Sequence, residues 1–286
     1  MTQGLSVSLT AGKKVYSLDL NNKDDKARLQ ELVNEADVII QAFRLGSIDR
    51  RGFGLEKIVE MAKKRGKGVV YVDLNCYGPD GYYAERPGFQ QIADAATGCS
   101  YVCAKSLGFE DGVGVLPSLP IADMLAGAVV ILDVMLALRD RANYGGSYHG
   151  FSVLCSVDSF QLSEEVGLYG AETVAKTQET YKFGPMTPDL MVEELLFVLL
   201  AAWLKNSDLL KRPEYMVRFA ETPFGKSHTI LKPVVNYENT DCNPYWLHGP
   251  VPYCYSNSAA WGTSETSTAS LSSAGSDSEA RPAVAA

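Results

Sequence analysis

The chain has 286 residues, 46% hydrophobic, 10% aromatic and 21% charged, with 26 Lys and Arg against 34 Asp and Glu for a net charge of −8. That balance supports a buried core and excludes a disordered chain, and the acidic excess argues against a protein whose partner is nucleic acid. Six scattered cysteines and an opening without an apolar signal core point to a reduced, cytoplasmic setting, with mitochondrion and peroxisome as alternatives.

Charge is unevenly placed. Residues 1–67 hold 13 basic and 9 acidic side chains, a net +4, and residues 68–286 hold 13 and 25, a net −12. A small anionic ligand is better received by the front of the chain. The run Lys63, Lys64, Arg65, Lys67 reads as a solvated helix face. No membrane span is expected, because stretch 124–138 is interrupted by Asp133 and stretch 195–204 falls short of the roughly 18 apolar residues a bilayer requires.

In chain order, residues 15–20 read as a strand. Asp24 or Asp25 then caps a helix carrying Leu29, Leu32, Val33 and Ala36 on one face. Residues 37–40 have the continuous apolar character of a strand buried on both faces. Residues 55–64 are helical, with Ile58, Val59 and Met61 as apolar members, and residues 68–74 form a third strand. This β-α-β-α-β order predicts an α/β fold with a parallel sheet and flanking crossover helices.

Residues 120–139 form a helix apolar all round, expected at the centre of the protein. A turn at Tyr144-Gly-Gly-Ser147 precedes a strand over 151–157. Residues 192–205 are helical. Pro213, Pro223, Pro244, Pro250 and Pro252 punctuate an irregular remainder, and the Ser- and Ala-rich chain from residue 256 reads as disordered.

No Walker loop, Gly-x-Gly-x-x-Gly, His-Glu-x-x-His or Gly-x-Ser-x-Gly is present. His149, His228 and His248 are isolated in sequence and read as structural. Cys99 and Cys103 share a helix face but lack further ligands for zinc, so no metal site is expected. Asp123, in Pro120-Ile-Ala-Asp123-Met-Leu-Ala-Gly127, stands out. A carboxylate opening an apolar helix is costly unless the free N–H groups and helix dipole hold its charge, and Gly127 leaves room for a ligand. A plain N-cap aspartate is the competing reading. Asp94 and Asp158 are lesser candidates, lying in segments without a comparable buried helix start.

The segments Leu18-Asp-Leu20, Glu35-Ala-Asp-Val-Ile-Ile-Gln-Ala-Phe-Arg-Leu-Gly46, Gly52-Phe-Gly54, Val70-Tyr-Val72, Tyr77-Gly-Pro-Asp-Gly81, Arg86-Pro-Gly-Phe89, Ile121-Ala-Asp123 and Leu136-Ala-Leu-Arg139 together resemble the family III CoA-transferases, the CaiB/BaiF family. The resemblance runs from about residue 12 to 160. Phe183-Gly-Pro-Met-Thr-Pro-Asp189 and Trp246-Leu-His-Gly-Pro-Val-Pro252 resemble segments of fungal members.

This resemblance implies a Rossmann-like domain over residues 1–160 lacking the family's usual opening segment, a reduced second domain over 161–255, and a tail over 256–286. It implies transfer of coenzyme A from an acyl-CoA thioester to a carboxylic acid through a covalent aspartyl intermediate, with Asp123 as nucleophile. CoA contacts are implied at Phe43, Arg44, Gly46, Arg50, Tyr77 and Gly78, and substrate positioning at Phe89 and Gln90. Arg50 and Arg51 read either as a phosphate grip or as an exposed surface pair. No permanently bound cofactor is implied, CoA thioester entering as substrate, and family members are homodimers. The fungal likeness suggests a place in secondary metabolism.

Two departures are visible: Ala42 stands where the family commonly has Asn, and Gln90 where it commonly has an acid that positions the reaction. They motivate a second reading, a non-catalytic truncated relative acting as an interaction protein. An α-methylacyl-CoA racemase is the weaker enzyme alternative, because Phe89 replaces that branch's histidine base and racemisation needs groups on opposite faces.

Overall fold

The computed structural model describes residues 7–238, 243–256 and 261. Two compact units divide it: Leu29–Ser207 forms one, and the described parts of Met1–Arg28 and Asp208–Ala286 form the other. The division falls inside helix α1 (Lys23–Glu35). Asn22, rather than Asp24 or Asp25, caps this helix, its Oδ1 accepting the N–H groups of Asp24 at 2.8 Å and Asp25 at 3.4 Å. That is the N-cap position, one residue before the first helical residue, where those two donors would otherwise be orphaned.

The larger unit is built on a three-stranded parallel sheet of β1 (Val38–Gln41), β2 (Val70–Asn75) and β3 (Tyr148–Val153), in that order. Val38 pairs with Val70 and Gln41 with Asp73; Val70 pairs with Tyr148 and Asn75 with Val153. Helix α2 (Leu55–Lys64) crosses from β1 to β2, burying Ile58, Met61 and Ala62. Between β2 and β3 run α3 (Gln90–Thr97), α4 (Cys99–Ser106) and α5 (Ile121–Tyr144). Then come α6 (Leu154–Gln161), α7 (Ala171–Tyr181) and α8 (Val192–Asn206). The predicted α/β class with crossover helices is what the chain adopts.

Period-2 alternation assigns the faces of β2. Val70, Val72 and Leu74 pack with Val130, Val134, Ala137 and Leu138 of α5, while Tyr71 points to the other face and its hydroxyl donates to Phe53 O at 3.4 Å. The basic run after α2 is structural: Lys64 pairs with Glu60, Lys67 with Asp37, and Arg65 donates to three backbone carbonyls.

Several expectations are corrected. Residues 15–20 form no strand; in the smaller unit Val15 exchanges backbone and hydroxyl bonds with Ser256 but joins no ladder. The first sheet strand, β1, lies at an edge and leaves Ile40 55% exposed, so it is not buried on both faces. The strand expected over 151–157 ends at Val153, because Leu154, Val157 and Asp158 share one buried face at helical spacing. Helix α5 is not central: Ala122, Ala126 and Val130 are buried at four-residue intervals, while Met124, Ile131, Leu132, Met135 and Leu136 are half or more exposed. Asp133 does not disqualify it by length and composition from crossing a membrane.

The smaller unit holds a hairpin of β4 (Met216–Phe219) and β5 (His228–Leu231) with Phe219 opposite His228, where an irregular, proline-broken segment was expected. Ala11, Phe219 and Ile230 form its core with Val217 and Trp246. The predicted disordered tail lies outside the described residues except for Ser256 and Trp261.

Gly68 joins the start of β2 to the turn before β3. A Cβ there would lie 1.7 Å from Gly146 O, and Gly68 O accepts bonds from Arg65 and Arg141 at 3.1 Å each. Gly68→Ala is expected to destabilise the chain by about 1–3 kcal/mol, read as a lower urea midpoint with unchanged slope.

Candidate functional site

Because all three strands are parallel, the loops after β1, β2 and β3 leave from one edge of the sheet, the edge where open α/β sheets bind ligands. Helix α5 runs back to the start of β3, so its own N-terminus, with Asp123, stands at that edge too. The predicted residues divide among these segments. Phe43, Arg44, Gly46 and Arg50 follow β1, Tyr77 and Gly78 follow β2, and Phe89 and Gln90 lie at the start of α3.

The loop after β1 is built for access. Phe43 is 57% exposed and its N–H donates to Gln41 Oε1 at 2.8 Å. Gly46 has φ 70°, and a Cβ there would come 3.1 Å from an Arg50 guanidinium nitrogen, so the arginine lies over the glycine. The two arginines left open by sequence separate here: Arg51 donates to Ser47 O and Oγ, both at 3.0 Å, while Arg44 and Arg50 have no acidic partner among the described residues. After β2, Asn75 fixes the turn, accepting the Gly78 N–H at 2.7 Å and donating to Gly78 O at 3.1 Å. Gly78 sits at φ 103°.

Asp123 is the third residue of α5, and Pro120 is the N-cap, so the plain N-cap reading fails. Its side chain is exposed, and its carboxylate has no hydrogen-bond partner among the described residues. Apolar neighbours around its base strip some of its water and push the carboxyl up from the ordinary range. At Gly127, one turn on, a Cβ would meet nothing within 4 Å.

The burial order of the acids is the reverse of the sequence expectation. Asp94 in α3 is 1% exposed and Asp158 in α6 is 0% exposed, because both lie mid-helix on faces packed against the cluster of Cys76, Ala93, Ala122, Ala126, Leu154 and Val157. Burial, with Asp158 beside it, pushes the Asp94 carboxyl up to about 7. Burial raises Asp158 as well. Gln90, where an acid was expected, is itself buried and donates from Nε2 to Asp94 Oδ2 and to Leu119 O, both at 3.1 Å. An acid is therefore present one helical turn further along. Phe89 is 69% exposed.

Two arrangements escaped sequence reasoning because they join distant segments. Asp73 accepts from Gln41 Nε2 and lies 2.6 Å from His149 Nε2, linking all three strands to the loop that carries Phe43. Cys76, at the end of β2, contacts Cys155 in α6, and burial followed by that neighbour pushes its thiol up to about 12. The only signal in sequence was the period-2 placement of Gln41, Asp73 and His149 on strands whose order was unknown.

Such an edge, with a glycine-bearing loop, arginines without an acidic partner among the described residues and an aspartate opening a helix, has the form of an α/β ligand-binding site. Residues 1–156 match the family model described as CoA-transferase family III, and the chain belongs to that family. It is 50% identical over 248 residues to an acyl-CoA transferase of Gibberella moniliformis, covering 87% of this chain and 44% of that protein. An acetyl-coenzyme A transferase of Hypoxylon pulicicidum is 29% identical, covering 82% and 39%. The chain thus spans under half the length of these curated relatives. A solved hypothetical protein from Mycobacterium tuberculosis shares the fold with TM-score 0.62 at 16% identity, covering 88% of this chain and 84% of that one.

The raised Asp94 carboxyl has a thermodynamic consequence. An unfolded aspartate releases its proton near 3.8 and the folded one near about 7. Between those values the folded state binds more protons, so stability is fullest below pH 4 on this account and falls as pH rises towards 7. Urea midpoints measured across that window should decline for the natural chain and flatten in Asp94→Asn.

Proposed function

We propose that this chain carries the nucleophilic part of a CoA-transferase site, moving coenzyme A from an acyl-CoA to a carboxylic acid. The match of residues 1–156 to CoA-transferase family III carries the reading, and the position of Asp123 at the ligand-binding edge supports it. The Asp123 carboxylate attacks the thioester carbonyl, forming a mixed anhydride and expelling CoA as thiolate. The thiolate returns to the aspartyl carbonyl, releasing the donor acid and leaving an aspartyl-CoA thioester. The acceptor carboxylate attacks that thioester, and CoA thiolate then recaptures the acceptor's acyl carbon, regenerating the Asp123 carboxylate. Arg44 and Arg50, the latter lying over Gly46, supply guanidinium donors for CoA phosphates, and the open space beside Gly127 admits the thioester. Phe89, exposed at the start of α3, orders the approach, and Gln90 acts from behind it by holding Asp94. The proposal extends to a place in secondary metabolism, on the likeness of the segments 183–189 and 246–252 to fungal members.

Incubation with acyl-CoA and hydroxylamine should leave a hydroxamate on the peptide containing Asp123, detected by mass spectrometry. Asp123→Asn should lower transfer by on the order of 10³-fold or more without loss of fold. Absence of adduct at saturating donor would count against the assignment.

A non-catalytic relative is the second reading, and the buried Gln90, standing where the family commonly has an acid, is the observation that favours it. Calorimetric titration with CoA separates the two, since the first requires binding and the second does not. The proposal includes a homodimer, supported by the apolar face that α5 leaves uncovered at Ile131, Leu132, Met135 and Leu136. Light scattering after size exclusion is expected to give twice the chain mass, and Leu132→Glu with Met135→Glu should return a monomer.

A further inference from the structure

Asp94 and Asp158 are each satisfied on one side only. Gln90 Nε2 donates to Asp94 Oδ2 and Gln161 Nε2 donates to Asp158 Oδ1, both at 3.1 Å. The other oxygens, Asp94 Oδ1 and Asp158 Oδ2, are buried without a hydrogen-bond partner. A carboxyl oxygen of each residue and the Cys99 sulfur lie within 4.8 Å of one another.

Two carboxylates stripped of water cannot both stay charged at this range, because neither solvation nor a counter-ion repays the cost. A hydrogen between them turns one orphan oxygen into a donor and leaves the other as its acceptor, so a single proton settles both. The groups facing the pair add no positive charge. They are Asp123 from α5, Cys99 and Cys103 from α4, Cys76 at the end of β2 and Cys155 from α6, and burial pushes all four thiols up so that they stay protonated. Ala122, next to Asp123, packs in one buried cluster with Ala93, next to Asp94, and Val157, next to Asp158, so the negative charge of Asp123 bears on both acids and favours their protonated forms.

We propose that Asp94 and Asp158 hold one proton between them and that their grip on it follows the charge on Asp123, making the pair a positioning element behind the first turn of α5. With Asp123 ionised, a second charge on the pair is opposed. Acylation of Asp123 removes that like charge, and by linkage the pair then holds its proton less tightly. This consequence for turnover rests on Asp123 as the acyl acceptor; the shared proton itself does not.

Infrared spectra of the full chain, labelled with carbon-13 at the aspartate carboxyls, test this without any activity measurement. One protonated buried carboxyl is expected at neutral pH. It should vanish in Asp94→Asn and in Asp158→Asn, where the new amide donates in place of the proton. Asp123→Asn should keep it but lower the midpoint of its loss by about one pH unit. Two ionised carboxyls at neutral pH, or a protonated band that emerges only after EDTA strips a bound metal, would overturn the shared proton. An unmoved midpoint in Asp123→Asn would overturn the coupling. A failed hydroxamate trap would leave these spectra as expected, so the two proposals fail separately.

Discussion

Helix α5 lies against β3 only because the strand withholds side chains along the contact. A Cβ at Gly150 would come 2.9 Å from Asp133 Oδ2, and Ser152 uses its hydroxyl to bond the helix backbone itself, at Ala126 O and 3.1 Å. On the helix side, Ala122 and Ala126 are fully buried. Larger residues at these positions would push the helix away from the sheet. The depth at which α5 seats sets where its first turn emerges, and so where Asp123 stands relative to the loops after β1 and β2.

The same close packing determines the electrostatics. The Ala122 and Ala126 stripe closes over Cys76, Ala93, Leu154 and Val157, leaving Asp94 and Asp158 on the inner margin of an apolar cluster. Buried carboxyls are tolerated when amides and a proton replace water, and Gln90 and Gln161 supply two of those partners. Asp123, one helical step from Ala122, escapes to solvent. Three acids therefore divide into an exposed one and an inner pair withdrawn from water.

Membership of CoA-transferase family III gives this arrangement its chemical meaning. The chain spans 44% of the Gibberella moniliformis relative and 39% of the Hypoxylon pulicicidum one. What the described residues hold is the sheet edge, the loops that leave it and the helix that carries Asp123.

Sequence alone determined the elements whose pattern is local. The alternation of strand and helix from residue 37 to 75, the helix Leu55–Lys64, the long α5 and the helix Val192–Asn206 are written in hydrophobic spacing, and the tertiary fold keeps them. The order of loop and helix motifs also carried the family resemblance and singled out Asp123. Tertiary structure decided everything that depends on a partner far along the chain. Residues 15–20 have strand composition, but a strand exists only when a neighbour accepts its ladder, and none among the described residues does. Helix α5 is apolar all round, yet only its contacts choose which stripe is buried. Asp94 and Asp158 are 64 positions apart and each looks like an ordinary surface acid; the packing of α3 on α6 makes them a buried pair, because desolvation is a property of the fold and not of the residue.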